Sequence, residues 1–319
     1  MTPDISVIVP VFNEQAHNLT ALVAEIERVM FDLAVSFELV FVDDGSLNET
    51  NAKLRELVGK HDFIKLVILS RNFGEQAAIC AGLKYCSGKV SVNMDSDLQD
   101  PPSLIKEMLA AIEHGYQVVL AKQVKRHESP LKVMTSMIFY RLVNFMADRP
   151  VPVDVGEFRM LTRPVIDAVN QMPERVRFLR ELVPWMGFRQ LELPFTRADR
   201  AVGESGYTLG KLIKLALQAV LVSSTKPLFL ILPLALLICL AAFAGLVISF
   251  TSPQFMTFTP VQLAFINFSL SGVTLLVLGV VAPYLARVIG EVRSRPLFIV
   301  SELVGFAGST ELIERMVSQ

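Results

Sequence analysis

The sequence predicts an α/β protein in which a mostly parallel sheet, wrapped by helices, is joined to a two-helix membrane hairpin. Three observations carry this. Over residues 1–125, short apolar runs rich in β-branched residues alternate with helix-like segments. The polar residues of that region gather just beyond the apolar runs, at the strand ends where open parallel sheets bind ligands. Residues 227–286 contain no Asp, Glu, Lys, Arg or His.

The predicted strands are ISVIVP (5–10), FELVFVDD (37–44), IKLVILS (64–70), KVSVNMD (89–95) and QVVLAK (117–122). Nearly continuous apolar runs of this kind suit strands buried on both faces. Between them lie QAHNLTALVAEIERVMFDL, LNETNAKLRELVGK, GEQAAICAGLKYC and PSLIKEMLAAIEHG, all helix-like. Asn48 is expected to cap the second and Gly115 to end the last. Beyond the sheet, SPLKVMTSMIFYRLVNFMADR (129–149) is a basic, apolar helix that either lies in a membrane interface or packs on the domain. TLGKLIKLALQAVLVSS (208–224) reads as an interfacial helix beside the membrane.

Two apolar runs, 228–250 and 261–285, exceed the roughly 20 residues a helix needs to cross a bilayer. Lys211, Lys214 and Lys226 precede the first, and Arg287, Arg293 and Arg295 follow the second. The loop between them carries no positive charge, so the positive-inside bias puts both termini in the cytoplasm of a multi-pass protein. The expected organisation is a cytoplasmic domain (1–207), a juxtamembrane helix (208–226), two spans (227–286) and a cytoplasmic tail (287–319) ending in a short helix capped at Ser309 or Thr310. The first residues, MTPDISVIVPVFNE, lack the basic n-region of a secretory signal. Three cysteines, Cys80, Cys86 and Cys239, suggest no disulfide framework.

Four polar strand ends in register outline a pocket: Pro10, Asn13 and Glu14; Asp43, Asp44, Gly45 and Ser46; Arg71, Asn72 and Gly74; Asp95, Ser96 and Asp97. In NMDSDLQDPP, acids crowd the end of a strand, where like charges repel. Asp95 and Asp97 have the spacing to converge on a hard divalent cation such as Mg²⁺ or Mn²⁺, which shares its shell with a diphosphate. Asp100, before Pro101, is expected to cap the next helix. No G-x-G-x-x-G or P-loop glycine pattern occurs, which argues against dinucleotide oxidoreductases and P-loop enzymes. The four histidines have no metal-ligand spacing, and nothing in a net charge of -1 points to nucleic acid.

IVPVFNE, VDDGS, SRNFG and MDSDLQDPP, in this order and spacing, resemble glycosyltransferase family 2 with its GT-A, Rossmann-like nucleotide-sugar domain. The continuation VGEFRMLTRPVIDAVNQMPER, FLRELVPWMGFRQ and two spans is similar to the bacterial polyprenyl-phosphate glycosyltransferases, relatives of the dolichyl-phosphate mannose synthases. The resemblance implies that Pro10, Asn13, Glu14, Asp43 and Asp44 contact the nucleotide, that Arg71, Asn72 and Gly74 shape its pocket, and that Asp95, Asp97 and Gln99 hold the metal. It implies that Glu157 and Arg159 stand beside the sugar, as the acidic and basic members of a G-D-F-R element, and that Arg200 meets phosphate. Asp154 lies in the same loop without a role, and Lys122, Lys125, Arg126, Arg177 and Arg200 are candidates for the lipid phosphate.

The implied reaction moves a sugar, with inversion, from a nucleotide sugar to polyprenyl (undecaprenyl) phosphate at the inner membrane of a bacterium, for cell-envelope glycan modification. A UDP-sugar is the expected donor, glucose first and a modified pentose or hexosamine second. A homo-oligomer, with a tetramer as one form, is implied by the resemblance alone. The chain departs from the family pattern at Glu157 (usually Asp), Gly206 (usually Lys) and Pro283 (usually an acid). These departures motivate an alternative: an impaired homologue that binds sugar nucleotide or scaffolds a membrane complex. A processive polysaccharide synthase would carry a Q-x-x-R-W element, which is absent.

Overall fold

The computed structural model describes residues 2–124, 155–174, 178–196 and 260–306, with isolated positions between 226 and 244. By its contacts the chain forms two compact units, one of residues 1–129, 152–204 and 295–319 and the other of 130–151 and 205–294.

The first unit is built on a sheet of eight strands: β1 (Ile5–Val11), β2 (Phe37–Asp43), β3 (Ile64–Leu69), β4 (Val90–Asn93), β5 (Val118–Gln123), β6 (Val155–Thr162), β7 (Gln190–Phe195) and β8 (Val300–Val304). Their order is β7-β5-β6-β4-β1-β2-β3-β8. The four central strands, β4-β1-β2-β3, are parallel, whereas β6 pairs antiparallel with β4 and β5, and β8 pairs antiparallel with β3. Helices α1 (Ala16–Leu33), α2 (Thr50–Lys60) and α4 (Ile105–Glu113) supply Leu22, Ile26, Leu54 and Met108 to the core on one face. On the other face, α3 (Glu75–Tyr85), α5 (Arg163–Gln171) and α6 (Leu179–Trp185) supply Ile79, Leu83, Ile166 and Val183. Burial on both faces is why the central strands read as unbroken apolar runs.

Helix α3 lies very close to the sheet, with residues 77–83 all buried. A Cβ on Gly82 would stand 2.2 Å from Ile8 Cγ2, so glycine is what permits this approach. Gly115, at φ +85°, ends α4 as the sequence predicts. Asn48 sits one position before the helix boundary at Glu49, and its Oδ1 accepts a hydrogen bond from the Thr50 amide at 3.1 Å.

Three strands were not legible in the sequence, and the sheet is mixed rather than mostly parallel. β6 carries Glu157 and Arg159 in mid-strand, an unusual choice for a buried position. β7 is a half-buried edge strand containing Pro194. β8 comes from the tail expected to be separate, yet Leu303 is buried and Arg55 of α2 grips Glu302 with two hydrogen bonds of 2.8 and 2.5 Å.

In the second unit, helix α7 (Pro260–Val292) runs 33 residues, through Pro283 and past Arg287, beyond the expected end at 285. Among the described residues, Leu270–Val292 is the one stretch of helix long and apolar enough to cross a membrane. The described positions between 226 and 244 are helical, but most of the first expected span lies outside the described residues. So do the helices expected at 129–149, 208–224 and the C-terminus.

Candidate active site

The loops after β1, β2, β3 and β4 meet at one end of the sheet and are stitched by short polar side chains. Asn13, at φ +53°, accepts from the Leu47 amide at 2.9 Å, and its own amide donates to Ser46 Oγ at 3.0 Å. Asp43 accepts from the Ser46 amide at 2.9 Å and from Asn51 Nδ2 at 2.7 Å. The Asp44 carboxylate receives the amides of Phe73 at 2.7 Å and Gly74 at 2.9 Å, tying the β2 loop to the β3 loop. Gly45 permits that approach: it has φ +71°, and a Cβ there would be 2.4 Å from the Arg71 carbonyl carbon. Glu14 links Asn18 Nδ2, at 2.9 Å, to Ser96 Oγ, at 3.2 Å, joining the β1 and β4 loops.

These loops enclose a cleft of about 420 Å³, lined by Pro10, Val11, Phe12, Glu14, Asp44, Asn72, Gly74, Glu75, Ala78, Asp95, Ser96 and Asp97. Eight of the strand-end residues singled out in the sequence therefore come together: Pro10, Glu14, Asp44, Asn72, Gly74, Asp95, Ser96 and Asp97. Asn13 and Asp43 act behind the wall as the ties just described. Arg71 lies over the Phe73 ring, 4.0 Å from its centroid, and donates to the Asn72 carbonyl. Gln99 is buried outside the lining, with its amide donating to Asp97 Oδ1 at 3.1 Å. Asp100 does not cap the following helix; its carboxylate is buried and accepts from the Asp95 amide at 3.1 Å.

Among the described residues, the lining includes five carboxylates, Glu14, Asp44, Glu75, Asp95 and Asp97, and no Lys, Arg or His. Burial, then the charges of Asp95 and Glu157, push the Glu75 carboxyl up to about 7. Burial also raises Asp44, against the two amides that hold its ionised form. This all-oxygen donor set fits a hard divalent cation. Among the described residues no group of three or more His, Cys, Asp and Glu side chains is placed to hold a metal ion. Asp95 and Asp97 would therefore supply a partial shell, with waters and ligand oxygens completing it.

Beside the cleft, β6 places two charged side chains in the interior. Arg159 is fully buried and its Nη2 donates to Glu157 Oε2 at 2.5 Å. Glu157 Oε1 accepts from Arg180 Nε of α6 at 2.7 Å. Burial pushes the Glu157 carboxyl up, but Arg159, Arg180 and Gln76 outweigh it and hold the group below the usual carboxylate range. The Glu157 carboxylate is thus held in a two-arginine clamp. Arg159 Nε and Nη1 have no partner among the described residues.

Of the expected lipid-phosphate cations, Lys122 pairs with Glu192 at 2.6 Å. Lys125, Arg126, Asp154, Arg177, Arg200 and Gly206 lie outside the described residues. Sequence reasoning missed Glu75, Gln76 and Arg180. Glu75 directly follows the N-F-G stretch, which is its sequence signal; Arg180 sits within FLRELVPWMGFRQ, where nothing local marks it out.

With the strand-end cleft, its acids and the β6 pair described, comparison with known proteins gives the family. The family model described as Glycosyl transferase family 2 matches residues 6–169. The chain belongs to glycosyltransferase family 2. It is a glycosyltransferase with a GT-A-like mixed α/β sheet. It is 37% identical over 314 residues to a Bacillus subtilis protein named as an uncharacterized glycosyltransferase, YkcC, covering 94% of each chain. It is 31% identical over 305 residues to the bactoprenol glucosyl transferase of Shigella phage SfII, covering 93% of this chain and 97% of that one. Among solved structures, a mannosyltransferase from Pyrobaculum calidifontis in complex with GDP-Man and Mn²⁺ superimposes with a TM-score of 0.48 at 17% identity, over 92% of this chain and 88% of that one.

Proposed function

We propose that this enzyme transfers a sugar, with inversion, from a nucleotide sugar to polyprenyl phosphate at the cytoplasmic face of a bacterial inner membrane. The observation that carries the reading is the five carboxylates that line the strand-end cleft. A divalent metal between an anionic diphosphate and these carboxylates would offset their repulsion. The name of the Shigella phage relative, a bactoprenol glucosyl transferase, supports a polyprenyl phosphate acceptor. The donor we favour is a UDP-sugar, with glucose first and a modified pentose or hexosamine second.

In this reading Pro10, Glu14, Asp44 and Asn72 border the nucleotide, with Asn13, Asp43 and Arg71 fixing their loops. Asp95 and Asp97 would hold Mg²⁺ or Mn²⁺, with Gln99 buttressing the Asp97 turn. The bound metal supplies Lewis-acid stabilisation of the departing diphosphate. The acceptor's second pKa, near ~6, leaves its phosphate mostly dianionic at neutral pH. It therefore needs no base to remove a proton before it attacks the anomeric carbon. That agrees with Glu157, which is held ionised with both carboxylate oxygens engaged by arginines.

The catalytic domain and both termini are proposed to face the cytoplasm, anchored by a two-span hairpin, with the enzyme a homo-oligomer. The reading is tested with membranes containing the protein, labelled UDP-sugars, Mn²⁺ or Mg²⁺ and undecaprenyl phosphate. The expected result is a metal-dependent, lipid-linked sugar. UDP binding without lipid-linked product from any donor would instead favour an impaired, sugar-nucleotide-binding homologue.

A further inference from the structure

We infer that Arg180 is the cation that receives the phosphate of the lipid acceptor, presented by Glu157 acting as its tether. This deepens the proposed function and rests on its lipid-phosphate acceptor.

Arginine has five N–H donors in a fixed fork. Arg180 uses Nε for Glu157, at 2.7 Å, and neither Nη group has a partner among the described residues. Its side chain is 40% exposed, whereas the Glu157 side chain that grips it is 2% exposed. Glu157 is itself immobilised by Arg159, at 2.5 Å, and by Gln76, whose Oε1 also accepts from the Leu179 amide at 3.1 Å at the start of α6. The Nε bond therefore fixes the plane of the fork from behind and leaves its outer edge available for an oxyanion. Planar, two-pronged recognition of phosphate is what this geometry serves.

The location agrees. Glu75 lines the cleft and feels the charges of both Asp95 and Arg180, so the guanidinium stands within electrostatic reach of the cleft. Other described cations around the cleft are otherwise engaged. Arg71 lies over Phe73, Lys122 pairs with Glu192, and Arg159 is buried. Two anions must meet in this reaction. Asp95 and Asp97 can hold one through a metal; Arg180 supplies a positive group for the other. An inverting attack brings the acceptor phosphate to the face of the sugar opposite the leaving diphosphate, which separates the two charge-receiving groups.

The test uses the full chain in nanodiscs. Trp185, the sole tryptophan, lies on the same helix as Arg180 and reports binding by fluorescence. Titration with farnesyl phosphate and with farnesol isolates the phosphate contribution. In parallel, KM for undecaprenyl phosphate and affinity for UDP with Mn²⁺ are measured. Arg180→Gln should weaken farnesyl phosphate binding and raise the acceptor KM by about tenfold or more, the loss expected for a charge-assisted hydrogen-bonded pair. UDP affinity should stay within about twofold. Arg180→Lys, which keeps the charge but not the fork, should fall between the two and serves where the glutamine variant is poorly folded.

Wild-type affinity for farnesyl phosphate in either variant overturns the inference. Loss of UDP affinity with an unchanged acceptor KM also overturns it, because the phosphate met by Arg180 would then be the donor's. If the wild-type chain binds farnesyl phosphate no better than farnesol, the lipid-phosphate reading itself falls and takes this role with it.

Discussion

At the scale of single residues, charge crowding in the cleft decides most of what is testable. Asp97 lines the cleft on a turn that its own carboxylate braces through the Gln99 amide. Asp97→Asn should cut metal-dependent transfer by about a hundredfold or more while leaving membrane insertion intact, measured as lipid-linked product from membranes. Turnover near wild type would move the metal elsewhere. Glu75 makes a pH prediction. Its pKa rises from 4.5 to about 7 on folding, so the folded state binds more protons than the unfolded one between those values. Stability from this group is therefore present at low pH and is lost as pH rises through about 7. In metal-free protein, Glu75→Gln should raise the melting temperature at pH 8, by up to about 3 kcal/mol of stability, and change it little at pH 5. An equal effect at both pH values would contradict this account of Glu75.

At the scale of elements, close packing and local conformation pull in opposite directions at two glycines. Gly82 of α3 faces Ile8 with no room for a methyl group, so Gly82→Ala should destabilise by about 1–3 kcal/mol through overpacking. Gly59 of α2 has open space, with nothing within 4 Å of where a Cβ would stand, so Gly59→Ala should stabilise by about 0.5–1 kcal/mol through helix propensity. Chemical denaturation of both variants checks the pair, and the opposite ordering would refute it. The elements also show why legibility varied. Strands β1 to β5 were readable because burial on both faces writes an unbroken apolar run. β6 was not, because the buried Glu157 and Arg159, paired along one face of the strand, break the apolar pattern that marks a buried segment. β7 is half-buried at an edge, and β8 is a short strand whose partner is some 230 residues away in sequence.

At the scale of the whole molecule, the sheet is assembled from three separated stretches of chain. β8 covers the β3 edge and buries Leu303. A fragment of residues 1–207 should therefore be less stable and more prone to aggregate than the same fragment with 295–306 fused to it, as thermal scanning and size-exclusion chromatography would show. The Arg55–Glu302 pair should contribute little to that difference. Both side chains are more than 40% exposed, and exposed pairs are worth about 1 kcal/mol or less. Glu302→Gln should thus shift the melting temperature by only a few degrees, less than loss of the strand does.

Local periodicity and composition were enough to dictate the layered α/β sheet, the four polar strand ends, the acid pair at 95 and 97 and the long apolar helix, because each is written within a short window of chain. Folding in three dimensions settled which acids face the cleft, that Asp43 and Asp100 brace loops from behind, and that Glu157 is clamped between Arg159 and Arg180. Those outcomes depend on side chains from elements far apart in sequence being desolvated together. Burial and pairing of that kind belong to packing, which no local pattern encodes.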